Sequence, residues 1–212
     1  MIHPLTIIVT SCDRFDLLEK TLDSFFALNN YPYVAFHVHN DSLKAVPKSI
    51  KERYQDKGIT WHEGTKRGLS ASWDYLVNLV ETEYFLNLED DWLFEGNPNF
   101  IEDSIKLLGI FDQVWIREEK DHSHPLVEPD FCKEFDGVPF KLVEYSGDWC
   151  GFTFNPSLRK KNEWSWWFPN GIAGKDEIEL SRQLLGNYKA ASLVNSSIKH
   201  IGCGRHSKGF KI

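Results

Sequence analysis

The sequence predicts a mixed α/β domain: a mostly parallel, twisted sheet flanked by helices on both faces. Three observations carry this. Residues 5–10 are a continuous β-branched and aliphatic run, the pattern of a central parallel strand buried on both sides. A polar turn, Ser11-Cys12-Asp13-Arg14, and then a helical pattern follow it directly, which opens an α/β unit. Residues 84–88 form a second apolar run that ends abruptly in Glu89-Asp90-Asp91. With 212 residues, 42% hydrophobic and 26% charged, and no repeat or low-complexity tract, one domain is expected.

Taken in order, the first strand gives way to a helix in which Asp16 and Glu19 have capping-box spacing and Leu18, Leu22 and Phe25 share one face. A second strand is predicted over 34–39, closing on Asn40-Asp41-Ser42, and a third over 59–62, with a short amphipathic helix within 44–57 between them. The glycine-flanked basic loop 64–70 leads into a helix with Trp73, Leu76, Val77 and Val80 on one face, capped by Ser70 or Ser72. After the acidic strand, Asn97-Pro98 reads as a helix cap and first residue, with Ile101, Ile105 and Leu108 inward. Strands are expected at 114–116, 140–143 and 149–156, and the charged, histidine-bearing stretch 118–137 reads as a loop. A last helix follows Gly174, with Leu180, Leu184 and Leu185 inward.

A net charge of −7 argues against a nucleic-acid partner, which requires a clustered basic surface. No apolar run reaches membrane-spanning length and no signal-peptide pattern stands at the start, so a soluble cytoplasmic chain is expected. Cys12, Cys132, Cys150 and Cys203 are scattered and form no disulfide framework or C-x-x-C site. The tryptophans Trp164, Trp166 and Trp167 suit either a loop that stacks on a flat ligand or a packed satellite core.

The chemistry centres on the acids. In an α/β sheet, ligands bind at the carboxyl ends of the parallel strands, where Glu89, Asp90 and Asp91 fall. Adjacent carboxylates repel, and a divalent cation with hard oxygen ligands, Mg²⁺ or Mn²⁺, relieves the repulsion while carrying a diphosphate; the alternative is a solvated acidic turn. Arg67 can reach a diphosphate through its donor fork, and Asp41 can accept from a base or ribose. The first turn lacks G-x-G-x-x-G, which excludes a dehydrogenase-type dinucleotide site. His122 and His124 read as surface residues, and a zinc site from His200, Cys203 and His206 fits no common framework.

The order of residues 9–14 with Leu18 and Thr21-Leu22-Asp23-Ser24, then Asn40-Asp41-Ser42, the Arg67-Gly68 loop and Glu89-Asp90-Asp91 resembles the nucleotide-sugar half of GT-A-fold glycosyltransferases. The carboxylate triplet is a Glu-Asp-Asp variant of the D-x-D motif. The resemblance implies a nucleotide-binding half over 1–95 and an acceptor-side half with a C-terminal lid over 96–212. It implies that Thr10, Ser11, Asp13, Arg14 and Asp41 hold the nucleoside, and that Asp90, Arg67, Arg205 and Lys208 serve the diphosphate. Asp91, with Glu89 and the late His200, would hold Mn²⁺ or Mg²⁺. Asp176, then Glu177, matches the carboxylate that activates the acceptor in inverting members, and Asp148 falls near the donor sugar or acceptor. The implied activity is sugar transfer from a nucleoside-diphosphate donor, UDP-linked first, to a hydroxyl of a glycan or glycoconjugate. A metal-dependent nucleotidyltransferase and a carbohydrate-binding module are the rivals, and a segment of a longer multidomain protein is a further reading of the chain.

Overall fold

The computed structural model describes residues 2–117, 132–143, 147–194 and 198–202. The strands are β1 (Leu5–Ser11), β2 (Ala35–Asp41), β3 (Ile59–Thr65), β4 (Tyr84–Glu89), β5 (Trp92–Phe94), β6 (Gln113–Trp115), β7 (Lys133–Phe135), β8 (Val138–Leu142), β9 (Ser157–Lys160), β10 (Ala190–Leu193) and β11 (Ile198–His200). The α-helices are α1 (Phe15–Leu28), α2 (Lys48–Arg53), α3 (Leu69–Asn78), α4 (Phe100–Leu107), α5 (Lys161–Trp167) and α6 (Glu177–Leu184). Among the described residues nine strands form one sheet in the order β3-β2-β1-β4-β9-β6-β10-β8-β7, and β5 pairs with β11 in a small second sheet.

The first half of the sheet is wholly parallel: β3, β2, β1 and β4 run together, and helical crossovers link them in chain order from β1 to β4. In the second half β9 and β8 run against their neighbours, while β6 and β10 keep the common direction. The period of two in β1 and β4 sorts the core into two layers. Leu5, Ile7 and Val9 with Tyr84, Leu86 and Leu88 pack with α1 and α4 through Leu18, Leu22, Phe25, Ile101, Ile105 and Leu108. Ile8 and Phe85 face the opposite way, onto Trp73, Leu76 and Val77 of α3, Trp164 of α5, and Leu180 and Leu184 of α6. Helices therefore cover both faces, as the continuous apolar run of β1 requires.

Several expectations need correction. Helix α1 starts at Phe15 with Arg14 as its cap residue and no side-chain cap bond, so Asp16 lies inside the first turn and opens no capping box with Glu19. Gly68, not Ser70 or Ser72, precedes α3, and α4 is preceded by Asn99 rather than Asn97. Val34 is exposed before β2, and Leu185 is exposed after α6. Part of the expected loop 118–137 is the hairpin of β7 and β8; His122 and His124 lie outside the described residues.

Residues 149–156 are largely buried but not a strand. Side chains take over the hydrogen bonds a ladder would have made. Asn87 Nδ2 donates to the Phe154 and Asn155 carbonyls at 2.8 and 2.9 Å, and Gln113 Nε2 donates to the Thr153 carbonyl at 3.0 Å. The Arg159 guanidinium, buried against Trp73, Phe152 and Trp164, also donates to that carbonyl.

The tryptophan cluster is corrected as well. Trp164 to Trp167 lie on α5, with Trp164 stacked on Trp73 at 5.5 Å in the core and Trp166 alone largely exposed. Helix α5 begins beside Tyr84, the amino end of β4, because Tyr84 pairs with Lys160. The acids lie at the other end of that strand, so these rings are no stacking surface beside them.

Candidate functional site

Because β1 and β4 are adjacent and parallel, with Thr10 opposite Glu89, the turn after β1 stands against the acids after β4. Thr10 spans the two strands, its hydroxyl donating to the Leu88 carbonyl at 3.5 Å. The Ser11 hydroxyl and the Cys12 amide donate to Asp90 Oδ2 at 2.8 and 3.1 Å. Asp13 takes a left-handed backbone (φ 58°), which turns the chain so that Arg14 points back to the acids. The Arg14 guanidinium then forks, with Nη2 on Asp90 Oδ1 and Nη1 on Asp91 Oδ2 at 2.6 Å. Such a charge-assisted fork fixes the relative position of two carboxylates that would otherwise repel.

The third component arrives from the far end of the chain. Strand β11 pairs with β5 so that His200 faces Trp92, and the Ile201 amide donates to the Asp91 carbonyl at 2.9 Å. His200 Nε2 then lies 3.2 Å from Asp91 Oδ2. Gly202 is required here for close approach, since a Cβ at that position would come 2.1 Å from Asp91 Oδ2.

The three acids are electrostatically unequal. Burial, reinforced by Asp91 and opposed by the Trp92 indole N–H at 3.3 Å, pushes the Glu89 carboxyl up to about 8. Burial also pushes Asp90 up to about 6, although Arg14, Ser11 and Cys12 all favour its ionised form. Burial opposes ionisation of Asp91 too, but His200 and Arg14 together hold it below the usual carboxylate range. Asp91 is thus the acid of the triplet held most firmly ionised, only 4% exposed, and its Oδ1 is buried without a hydrogen-bond partner among the described residues.

That orphaned oxygen and the neighbouring imidazole suit a divalent cation. Mg²⁺ and Mn²⁺ take hard oxygen and imidazole donors, and Mg²⁺ commonly uses one or two protein carboxylates with phosphate and water completing the shell. Among the described residues no group of three His, Cys, Asp or Glu side chains is arranged to hold a metal by itself. The fit is therefore to a cation shared with a phosphate ligand, through Asp91 and His200.

The other predicted residues are placed as follows. Asp41, at the end of β2, accepts at its carboxylate from the Arg67 amide at 2.5 Å and the Gly68 amide at 3.1 Å, so it shapes the loop before α3. The Arg67 guanidinium is exposed and lies over the Tyr75 ring at 4.6 Å. Asp13 is exposed, 3.4 Å from Lys44. Asp148 is also exposed and pairs with Arg182 of α6 at 2.8 Å. Arg205 and Lys208, like Cys203 and His206, lie outside the described residues.

Asp176 and Glu177 are separated by their roles. Asp176 is the exposed N-cap of α6 in a capping box with Glu179, each side chain bonding the other's backbone amide. Glu177 turns inward and accepts from the Phe154 amide at 2.5 Å and the Thr153 hydroxyl at 2.9 Å, and burial raises its pKa. Phe154 is the residue whose carbonyl Asn87 holds, so the start of α6 is tied to β4 two residues before the acids.

Sequence reading missed the residues that hold the start of α6, a second wall tied through Phe154 to the first wall of β1 and β4 with its acids. Asp74 on α3 accepts from the Ile172 and Ala173 amides at 2.7 Å each, and Ser70 Oγ from Gly174 at 3.0 Å, which pins the loop leading into α6. Gly171 is needed there, because a Cβ would fall 2.6 Å from Asp74 Oδ2. The available signals were Asn87 inside an apolar strand and Arg159 beside buried aromatics, polar residues where only a partner makes burial tolerable.

The sequence matches no protein-family model and no curated protein. Solved structures share the fold. A mannosyltransferase, PcManGT from Pyrobaculum calidifontis, in complex with GDP-Man and Mn²⁺, aligns with TM-score 0.65 and 14% identity over 95% of this chain and 57% of its own. Staphylococcus aureus TarS residues 1–349 align with TM-score 0.61 and 15% identity over 92% of this chain and 59% of that one. The same TarS segment in complex with UDP-GlcNAc gives 0.60 and 14%, over 96% and 62%. The chain thus spans about three fifths of these neighbours' lengths. The mixed α/β fold with its mainly parallel sheet is common to all of them.

Proposed function

We propose that this chain transfers a sugar from a nucleoside-diphosphate donor, UDP-linked by first preference, to a hydroxyl of a glycan or glycoconjugate. The observation that carries the reading is the convergence of Ser11, Arg14 and His200 on Asp90 and Asp91 at the carboxyl end of β1 and β4. Two fold neighbours, bound to GDP-Man with Mn²⁺ and to UDP-GlcNAc, lend it support.

In this reading the turn of Thr10, Ser11, Asp13 and Arg14, with Asp41, lines the nucleoside side of the crevice. Asp91 and His200, with Glu89 beside them, hold Mn²⁺ or Mg²⁺, which when bound acts as a Lewis acid on the diphosphate. Asp90 orients Arg14, whose guanidinium faces the leaving diphosphate, with Arg67 and the tail residues Arg205 and Lys208 adding positive charge. Asp176, exposed at the start of α6, takes the proton from the acceptor hydroxyl. Glu177 sets the position of that helix through Thr153 and Phe154 and is the second candidate for the base.

Calorimetric titration with UDP and with GDP, each in Mn²⁺ and in EDTA, tests the reading. Binding of one nucleotide in Mn²⁺, lost in EDTA and in Asp91→Ala, is expected. Absence of binding under every condition overturns it.

A further inference from the structure

The acid end already contains a cation. Arg14 Nη1 lies 2.6 Å from Asp91 Oδ2, the same oxygen that faces His200 at 3.2 Å, while Asp91 Oδ1 stays buried with no partner. Any divalent cation that used the open oxygen would stand a few ångström from a guanidinium on the same carboxylate. Two positive charges at that separation, shielded from water, repel strongly. The other arm of the fork is different: Nη2 holds Asp90, whose side chain is fully buried and has no access to solvent counter-ions. The Arg14 side chain is 20% exposed, so it is not sealed from solvent as Asp90 is.

Resting on the cation and phosphate reading of this site, we propose that Arg14 is a resident counter-ion for Asp91 which a divalent cation displaces, so that cation binding and release of one arm of the guanidinium are a single coupled event. The arm on Asp90 stays as a pivot. Before the cation arrives, Arg14 holds two adjacent acids in register, and the site is preformed. Afterwards the freed N–H groups point at the phosphate, a ligand whose geometry a guanidinium matches. Cation and phosphate then bind cooperatively without a lid, since each removes a cost for the other.

The test uses the whole chain and Mn²⁺ alone, with free Mn²⁺ counted by electron paramagnetic resonance. Arg14→Gln, which removes the competing charge, should bind Mn²⁺ roughly tenfold more tightly than wild type, the weight of one charge-assisted hydrogen bond. Arg14→Lys should fall between them. Without metal, Arg14→Gln should melt at a lower temperature than wild type and recover on adding Mn²⁺. Should these variants fail to fold, the Arg14 guanidinium ¹⁵N signal of the wild-type protein carries the test: it should shift on Mg²⁺ addition. Equal or weaker Mn²⁺ binding by Arg14→Gln, an unmoved Arg14 signal in protein that binds Mg²⁺, or no cation binding by any form overturns the proposal. Nucleotide titration separates it from the donor-site reading. UDP or GDP bound equally in EDTA would keep a nucleotide site while the counter-ion exchange fails, and the Mn²⁺ pattern without nucleotide binding would do the reverse.

Discussion

Two runs of adjacent carboxylates are handled in opposite ways. At the end of β4, Asp90 and Asp91 are buried, and distant cationic groups, Arg14 from the first turn and His200 from the last strand, gather round them. At the start of α6, Asp176 and Glu177 meet no such cation in their hydrogen bonds among the described residues. One caps its own helix in water, and the other bonds a backbone amide and a hydroxyl. The first arrangement gathers positive charge onto buried acids; the second leaves one acid in solvent capping its helix and uses its neighbour as a strut. Adjacent acids therefore acquire different chemistry from what the fold brings to them.

The comparison can be broken most severely at Asp91. Asp91→Ala should lower turnover by about a thousandfold, the scale of losing a charge-stabilising group together with its cation. A variant with near wild-type turnover would place the chemistry elsewhere.

The second test is Asp176→Asn. Asparagine caps helices as well as aspartate does, so the melting temperature should hold while turnover drops about a hundredfold if Asp176 is the base. If Glu177→Gln causes that loss instead, with Asp176→Asn active, the roles exchange.

Asp74→Ala sharpens the comparison by loosening the second wall alone. With the Ile172 and Ala173 amides left without their acceptor, stability should fall by about 1–3 kcal/mol in chemical denaturation. Mn²⁺ affinity should be unchanged, because the first wall is built from other strands; a parallel loss of metal binding would show the two walls to be one unit.

The smallest effect is a pH slope in metal-free protein. Burial raises the Glu89 carboxyl from 4.5 to about 8, so between these values the folded chain keeps a proton that the unfolded chain has released. The contribution of Glu89 is then most favourable below pH 4.5 and is lost as pH rises toward 8. Glu89→Gln should remove that slope, and its melting temperature should gain on wild type as pH rises. Parallel curves would mean that Glu89 is ionised at neutral pH in the folded protein.

Much of the first half was legible because it depends on short-range pattern. The run 5–10, the helical faces of Leu18, Leu22 and Phe25 and of Trp73, Leu76 and Val77, and the acid-terminated strand are all local periodicities, and all lie where that pattern puts them. The caps were less legible. Asp16, Ser70 and Asn97 were reasonable by type, but at α3 a tertiary bond supplied the end: the Asp41 carboxylate binds the Arg67 and Gly68 amides across 26 and 27 residues. Residues 149–156 were misread because a buried apolar run resembles a strand whichever groups satisfy its backbone.

By itself the sequence determined the two-layer α/β core and put three acids at a strand's carboxyl end, because hydrophobic period and strand polarity are local properties of the chain. Only the tertiary structure decided how firmly each acid holds its charge and which groups oppose it. Arg14 and His200 reach Asp91 from 77 and 109 residues away, and a carboxylate's charge in a buried site depends on the partners within a few ångström, whatever their distance along the chain.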